Sequence, residues 1–139
     1  MPQRRALSRH IRVIRFVWIA GFLVGTTTHV VDLALAGADV YADHAAALRL
    51  FWVSLTLLDP VVAVLIALRV RAGIVLGALV MIADVSVNVT VFAPARDYGG
   101  LVTQVPFGVF VLLTVWPLWR SFSSPTRAAH PRAPDRTTG

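Results

Sequence analysis

Four ionisable side chains lie inside stretches that are otherwise apolar: His29 and Asp32, then Asp59, then Asp84, accompanied by Thr28, Thr56, Asn88 and Gln104. Ionisable groups in hydrocarbon are costly, normally face a bundle interior, and mark functional sites by default. A carboxyl stripped of water favours its neutral form, which makes it a proton donor, and two carboxyls close together titrate as one pair. His29 and Asp32 are three residues apart, so on a helix they share a face and can reload a proton from water. The candidate catalytic residues are therefore Asp59, Asp84, His29 and Asp32, and the chemistry they suit is protonation of a lipid-like alkene or epoxide. Interhelical glue is the plain alternative for Asp59, Asp84 and Asn88, since polar groups bond across membrane helices.

Helical angles decide which side chains can face one interior. At about 100° per residue, Gly21, Gly25, Thr28, His29 and Asp32 form one stripe of a first helix. Trp52, Thr56, Asp59 and Ala63 form a second, and Gly73, Gly77, Met81, Asp84 and Asn88 a third. Each stripe combines polar with small residues, which allows close approach of helices. Trp52 lies two turns from Asp59 on the same stripe, so an aromatic face and a carboxyl look into one space, a pairing suited to a carbocation. Phe107 and Phe110 line the facing wall. The candidate substrate-binding set is Trp52, Thr56, Met81, Asn88, Gln104, Phe107 and Phe110. Pro60, lacking an N–H, frees the carbonyl of Thr56, and Pro106 and Pro117 do the same to Val102 and Leu113. These oxygens and the single histidine form no metal-ligand motif such as HExxH, so no metal and no cofactor is expected.

The elements that hold these residues follow from composition. Of 139 residues, 57% are apolar and 14% charged, with a mean hydropathy of +0.73. An ordinary soluble domain is roughly a quarter charged, so the solvent for this chain is a bilayer. All 13 basic residues are Arg and the seven acidic ones Asp, so no lysine is present for a Schiff base. The lack of cysteine removes disulfides and thiolate chemistry. A net charge of +6 does not point to nucleic acid, because the Arg residues cluster at the ends of apolar segments and form no basic soluble face.

Apolar segments at 16–37, 48–68, 72–94 and 101–119 each have roughly the 20 residues that span a bilayer, and short links make them antiparallel neighbours. Eleven Arg residues lie before the first segment, between the second and third, or after the last, against two, Arg49 and Arg96, on the other side. This positive-inside bias places both termini in the cytoplasm. The expected architecture is an all-α integral membrane four-helix bundle in the cell's inner (plasma) membrane, multi-pass. It has a basic cytoplasmic N-terminus over 1–15, a membrane domain over 16–119 and a disordered cytoplasmic tail over 120–139. A secretory signal ending near Ala34 to Ala36 is the rival reading of the first segment, but that segment is longer than a signal's apolar region and carries His29 and Asp32.

With these residues in place, the chain resembles the small integral-membrane terpene cyclases of bacterial indole sesquiterpenoid pathways. The likeness is one of layout over about residues 16–119: size, four spans, and membrane-depth Asp residues such as those in LLDP (57–60) and IADVSVN (82–88). It implies a prenylated indole as substrate and a cyclisation begun by protonation without a metal. The DxDD signature of soluble protonating cyclases is absent. The layout is also distantly similar to the four-helix sterol isomerase and sigma-2 receptor family, whose long first loop is missing here.

Two readings from other classes stand beside the cyclase. One is a proton- or cation-coupled transporter or channel using the Asp residues as carriers. The other is a structural subunit of a membrane complex whose polar face meets a partner. The expected partners are the bilayer and a hydrophobic isoprenoid-type molecule, with no nucleic acid. Gly21 and Gly25 form a GxxxG pair that serves homo-oligomer contacts or packing within the chain equally well.

Overall fold

A computed structural model describes residues 2–122 as four helices and a short 3-10 turn. Helix α1 covers Pro2–Ala36, α2 Ala46–Ala67, α3 Arg71–Phe92 and α4 Leu101–Ser121, with the 3-10 turn at Gly37–Asp39. All four are long and apolar enough to cross a membrane. Only helices or closed barrels satisfy every backbone group in hydrocarbon, and these segments do so internally.

The expected spans hold to within a few residues, except at the N-terminus. There α1 is 35 residues long, about 52 Å, against about 32 Å for each of the others, so the basic segment over 1–15 continues the first helix from Pro2 onward. The tail expected to be disordered lies outside the described residues from 123 onward.

Helices that follow one another pack side by side, and α4 closes against α1, so the four form a ring with α1 opposite α3 and α2 opposite α4. The axis is filled from α1: Trp18 and Phe22 are almost fully buried and reach across to Gly77 of α3, where a Cβ would collide with Trp18 and with Val62. Trp18 Nε1 donates to Thr114 Oγ1 on α4 at 2.8 Å. Leu55, Val62, Ile66, Ile74, Val111 and Leu118 complete the core. Many large apolar side chains lie exposed on the outer faces of the helices, in keeping with helices apolar enough to cross a membrane.

Helices α2 and α4 run through their prolines unbroken. Helix ends are set by the backbone. At the end of α2, Arg69 adopts φ 60°, with Val70 N–H bonded to Leu65 O at 2.9 Å and Arg69 N–H to Ile66 O at 3.1 Å. The end of α3 repeats this at Arg96, φ 58°, with Asp97 N–H on Phe92 O and Arg96 N–H on Ala93 O, both at 3.1 Å. Both are Schellman endings with Arg in the left-handed position usually taken by Gly. The tight α2–α3 turn brings Gly73 against Leu65 and the Ile66 backbone.

A Cβ on Gly73 would meet immovable backbone at 3.1 Å, whereas one on Gly100 meets open space. Gly73→Ala should therefore lower stability by about 1–3 kcal/mol, and Gly100→Ala should leave it unchanged, as read by unfolding of the detergent-solubilised protein in a denaturing surfactant.

Candidate functional site

Asp84 and Asn88 lie one turn apart on the inner face of α3, as the stripe of that helix predicts. Asn88 is the hub. Its Nδ2 donates to Asp84 Oδ1 at 3.1 Å and to Gln104 Oε1 at 2.9 Å, while its Oδ1 accepts from Trp52 Nε1 at 2.8 Å. Gln104 closes the ring by donating its own Nε2 to Asp84 Oδ2. The cluster joins α2, α3 and α4, and both oxygens of the buried Asp84 carboxyl are taken by amide donors.

Asp59 on α2 is equally buried, at 6% exposure, but accepts no hydrogen bond among the described residues. Its carboxyl lies against Gly25 of α1, in the space a Cβ there would fill, and close enough to Asp84 for the two to act on each other electrostatically. One turn away, Thr56 Oγ1 is buried without a hydrogen-bond partner. One face of α2 thus carries a fully buried hydroxyl and a largely buried carboxyl that make no hydrogen bond among the described residues, which the interior normally avoids. Inward of Asp59 the walls are aromatic: Phe107 lies over Gly21 and meets Phe22 edge-on at 5.6 Å, with Trp18 tilted against Phe22 at 6.1 Å.

From Asp84 toward the α1–α2 link, Trp52 leads into a cluster that sequence reasoning missed. Phe92 stacks on Trp52 at 5.7 Å, Tyr41 tilts against it at 5.0 Å and His44 meets it edge-on at 5.0 Å. Tyr41 and His44 come from the α1–α2 link, where an aromatic and an imidazole three residues apart in a run of small residues were the available signal. The Tyr41 hydroxyl donates to Asp32 Oδ2 at 2.7 Å and lies 3.5 Å from His29 Nδ1. Burial above all, then the hydrogen bond to Asp32 and the charges of Asp32 and Asp84, push the Tyr41 phenol up from its ordinary value, so it remains the donor in this bond.

The sequence-derived site thus divides into three parts. Asp84, Asn88, Gln104 and Trp52 share one hydrogen-bonded cluster. His29 and Asp32 form a second with Tyr41, connected to the first only through the Tyr41 and Trp52 rings. Asp59 and Thr56 stand between α1 and α2 beside the first. Met81 is buried with its Cε near Gly108, and Phe110 is half-buried on α4, so both line the core deeper in the bundle. Thr28, expected on the interior stripe, is exposed and bonds back to the Val24 carbonyl at 3.1 Å. Helix α1 packs along α2 and α4 and reaches α3 through the Trp18 and Phe22 side chains at Gly77, and its buried sector is narrower than the stripe. Asp32, with Leu23, Val24, Thr27, Thr28 and Val31, also borders a shallow outer depression on α1. Among the described residues, no three His or Asp side chains gather as a metal site requires. The chain matches no protein-family model, no curated protein and no solved structure.

Asn88→Ala would strip a partner from Asp84, Gln104 and Trp52 at once. We expect a loss of about 2–4 kcal/mol, since each buried polar group left unpaired costs about 1–3 kcal/mol and losses within one network do not simply add. Surfactant unfolding reads it, with a shift in Trp52 emission reporting the lost bond.

Proposed function

We propose that this protein is a multi-pass plasma-membrane enzyme, both termini cytoplasmic, that protonates an isoprenoid from the bilayer and guides its cyclisation or double-bond shift. One observation carries the reading: Asp59 and Thr56 present an unpartnered carboxyl and hydroxyl on one buried face of α2, doing no visible structural work. Groups this costly in hydrocarbon are kept for chemistry or transport.

The roles follow from the hydrogen bonds. Asp84 already accepts from two amides, so a proton on either oxygen would displace one of them. Asp59 has no such bond to lose and is assigned the acid. Its proton goes to an alkene carbon: a C–H bond forms, the π bond breaks, and the adjacent tertiary carbon carries the charge. The half-buried Phe107 ring beside Asp59 shelters that cation, attack by a second π bond closes a ring, and loss of a proton to the Asp59 carboxylate restores the acid. Asp84, held by the amides of Asn88 and Gln104, stays in place beside this path. His29, Asp32 and Tyr41 form a separate hydrogen-bonded group at the α1–α2 link, and because the proton returns to Asp59 the cycle draws none through them. The product has the substrate's composition, so neither cofactor nor co-reactant is consumed.

The second reading, a proton-coupled transporter, draws on the run of polar groups from Asp84 outward to Asp32. Membranes carrying the protein, incubated with farnesyl-indole and related prenylated indoles and followed by chromatography and mass spectrometry, separate the two. The enzyme reading expects a product of unchanged mass and shifted retention, reduced by about 100-fold or more in Asp59→Asn, the scale of a lost general acid. Absence of conversion by a folded bundle that instead carries protons across liposomes would replace it with the transporter.

A further inference from the structure

The end of the bundle opposite the Tyr41–His44 link carries a second feature, independent of the proposed chemistry. Arg69 and Arg71, either side of the α2–α3 turn, both reach the last turns of α4. Arg71 lies over the Trp119 ring at 4.8 Å, and Arg69 lies over Phe122 at 5.8 Å while donating from Nη2 to Ser121 O at 3.2 Å. On the rim, Arg120 lies over Trp116 at 5.8 Å. Every Asp among the described residues lies at mid-bundle or toward the other end, so no carboxylate here competes for these guanidinium groups.

A guanidinium held over a ring still has N–H groups to offer, and Arg69 spends one of its five on Ser121 O. Two such groups, bracketing a turn of three residues, form a preset fork for a phosphate, which takes paired N–H donors. The start of α3 adds to it. Its first turn has no side-chain cap and no acidic residue, so its free N–H groups and positive dipole end point toward the same anion. The neighbouring Trp116 and Trp119 are of the type enriched at a headgroup boundary.

We propose that Arg69 and Arg71, placed over Phe122 and Trp119 on either side of the α2–α3 turn, form a binding site for a phosphate group, supplied by an anionic phospholipid headgroup. The site spans three helix ends and ties the α2–α3 turn to the end of α4, so an occupied site holds that end of the bundle together.

The test uses the full chain, purified in detergent and offered phosphatidylglycerol or phosphatidylcholine, with retained lipid counted by native mass spectrometry. Wild type should retain phosphatidylglycerol over phosphatidylcholine by about tenfold. The preference should vanish in the Arg69→Gln/Arg71→Gln double variant and persist in Arg9→Gln, which removes a charge from the same end but not from the fork. Trp18 emission, reporting on the core, checks that each variant is folded. If Gln unfolds the turn, Trp119→Leu, which leaves both charges but removes the platform under Arg71, should weaken the preference severalfold. Inorganic phosphate and pyrophosphate, added as competitors, separate the sources: no displacement at millimolar levels identifies a lipid site, and displacement identifies a site that takes free phosphate. Equal retention of the two lipids by wild type, or equal losses in Arg9→Gln and the double variant, would overturn the proposal.

Discussion

In a bilayer a buried polar side chain must find its partner within the protein, and in this bundle Asn88 meets that constraint for three helices at once. Its amide donates to α3 and α4 and accepts from α2, fixing their heights against one another more tightly than slippery aliphatic packing can. Helix α1 is held differently, by Trp18 and Phe22 driven into the axis and by glycines that let Phe107 and Asp59 approach its backbone. Asn88 thus ties α2, α3 and α4, while α1 is held by shape and by the Trp18–Thr114 hydrogen bond to α4, and Asp59 faces the seam between α1 and α2.

The fold was legible because the bilayer permits few solutions. Runs of about 20 apolar residues and short links give four antiparallel helices, and span limits agree with the structure to within a few residues. The N-terminal limit was missed because Arg-rich sequence ends a hydrophobic segment without ending a helix: Arg is a good helix former, and α1 runs through it. The Arg69 and Arg96 endings were invisible too, since their left-handed conformation is normally announced by glycine.

The site was partly legible. Stripes at helical spacing correctly gathered Asp84, Asn88 and Trp52, because a face carrying several polar groups has nowhere to turn but inward. The same argument misplaced Thr28, whose hydroxyl satisfies itself on its own helix and so tolerates lipid. Spacing along one helix also says nothing about which neighbour supplies a partner. Asp59 and Asp84 look alike in sequence, yet one meets two amides and the other a bare glycine, and Tyr41 and His44 reach the site only because the α1–α2 link folds over its mouth.

That contrast between the two carboxyls is the centre of the account: Asp84 holds helices together, and Asp59 is held in place without contributing to the hold. The most direct measurement compares the unfolding free energies of Asp59→Asn and Asp84→Asn in the same detergent. The account predicts Asp59→Asn at or above wild-type stability, because the carboxyl it replaces makes no hydrogen bond among the described residues and an amide of the same shape loses none. It predicts Asp84→Asn lower by about 1–3 kcal/mol, because its new amide opposes the donors of Asn88 and Gln104. Equal losses in both variants would contradict it and make Asp59 one more structural contact.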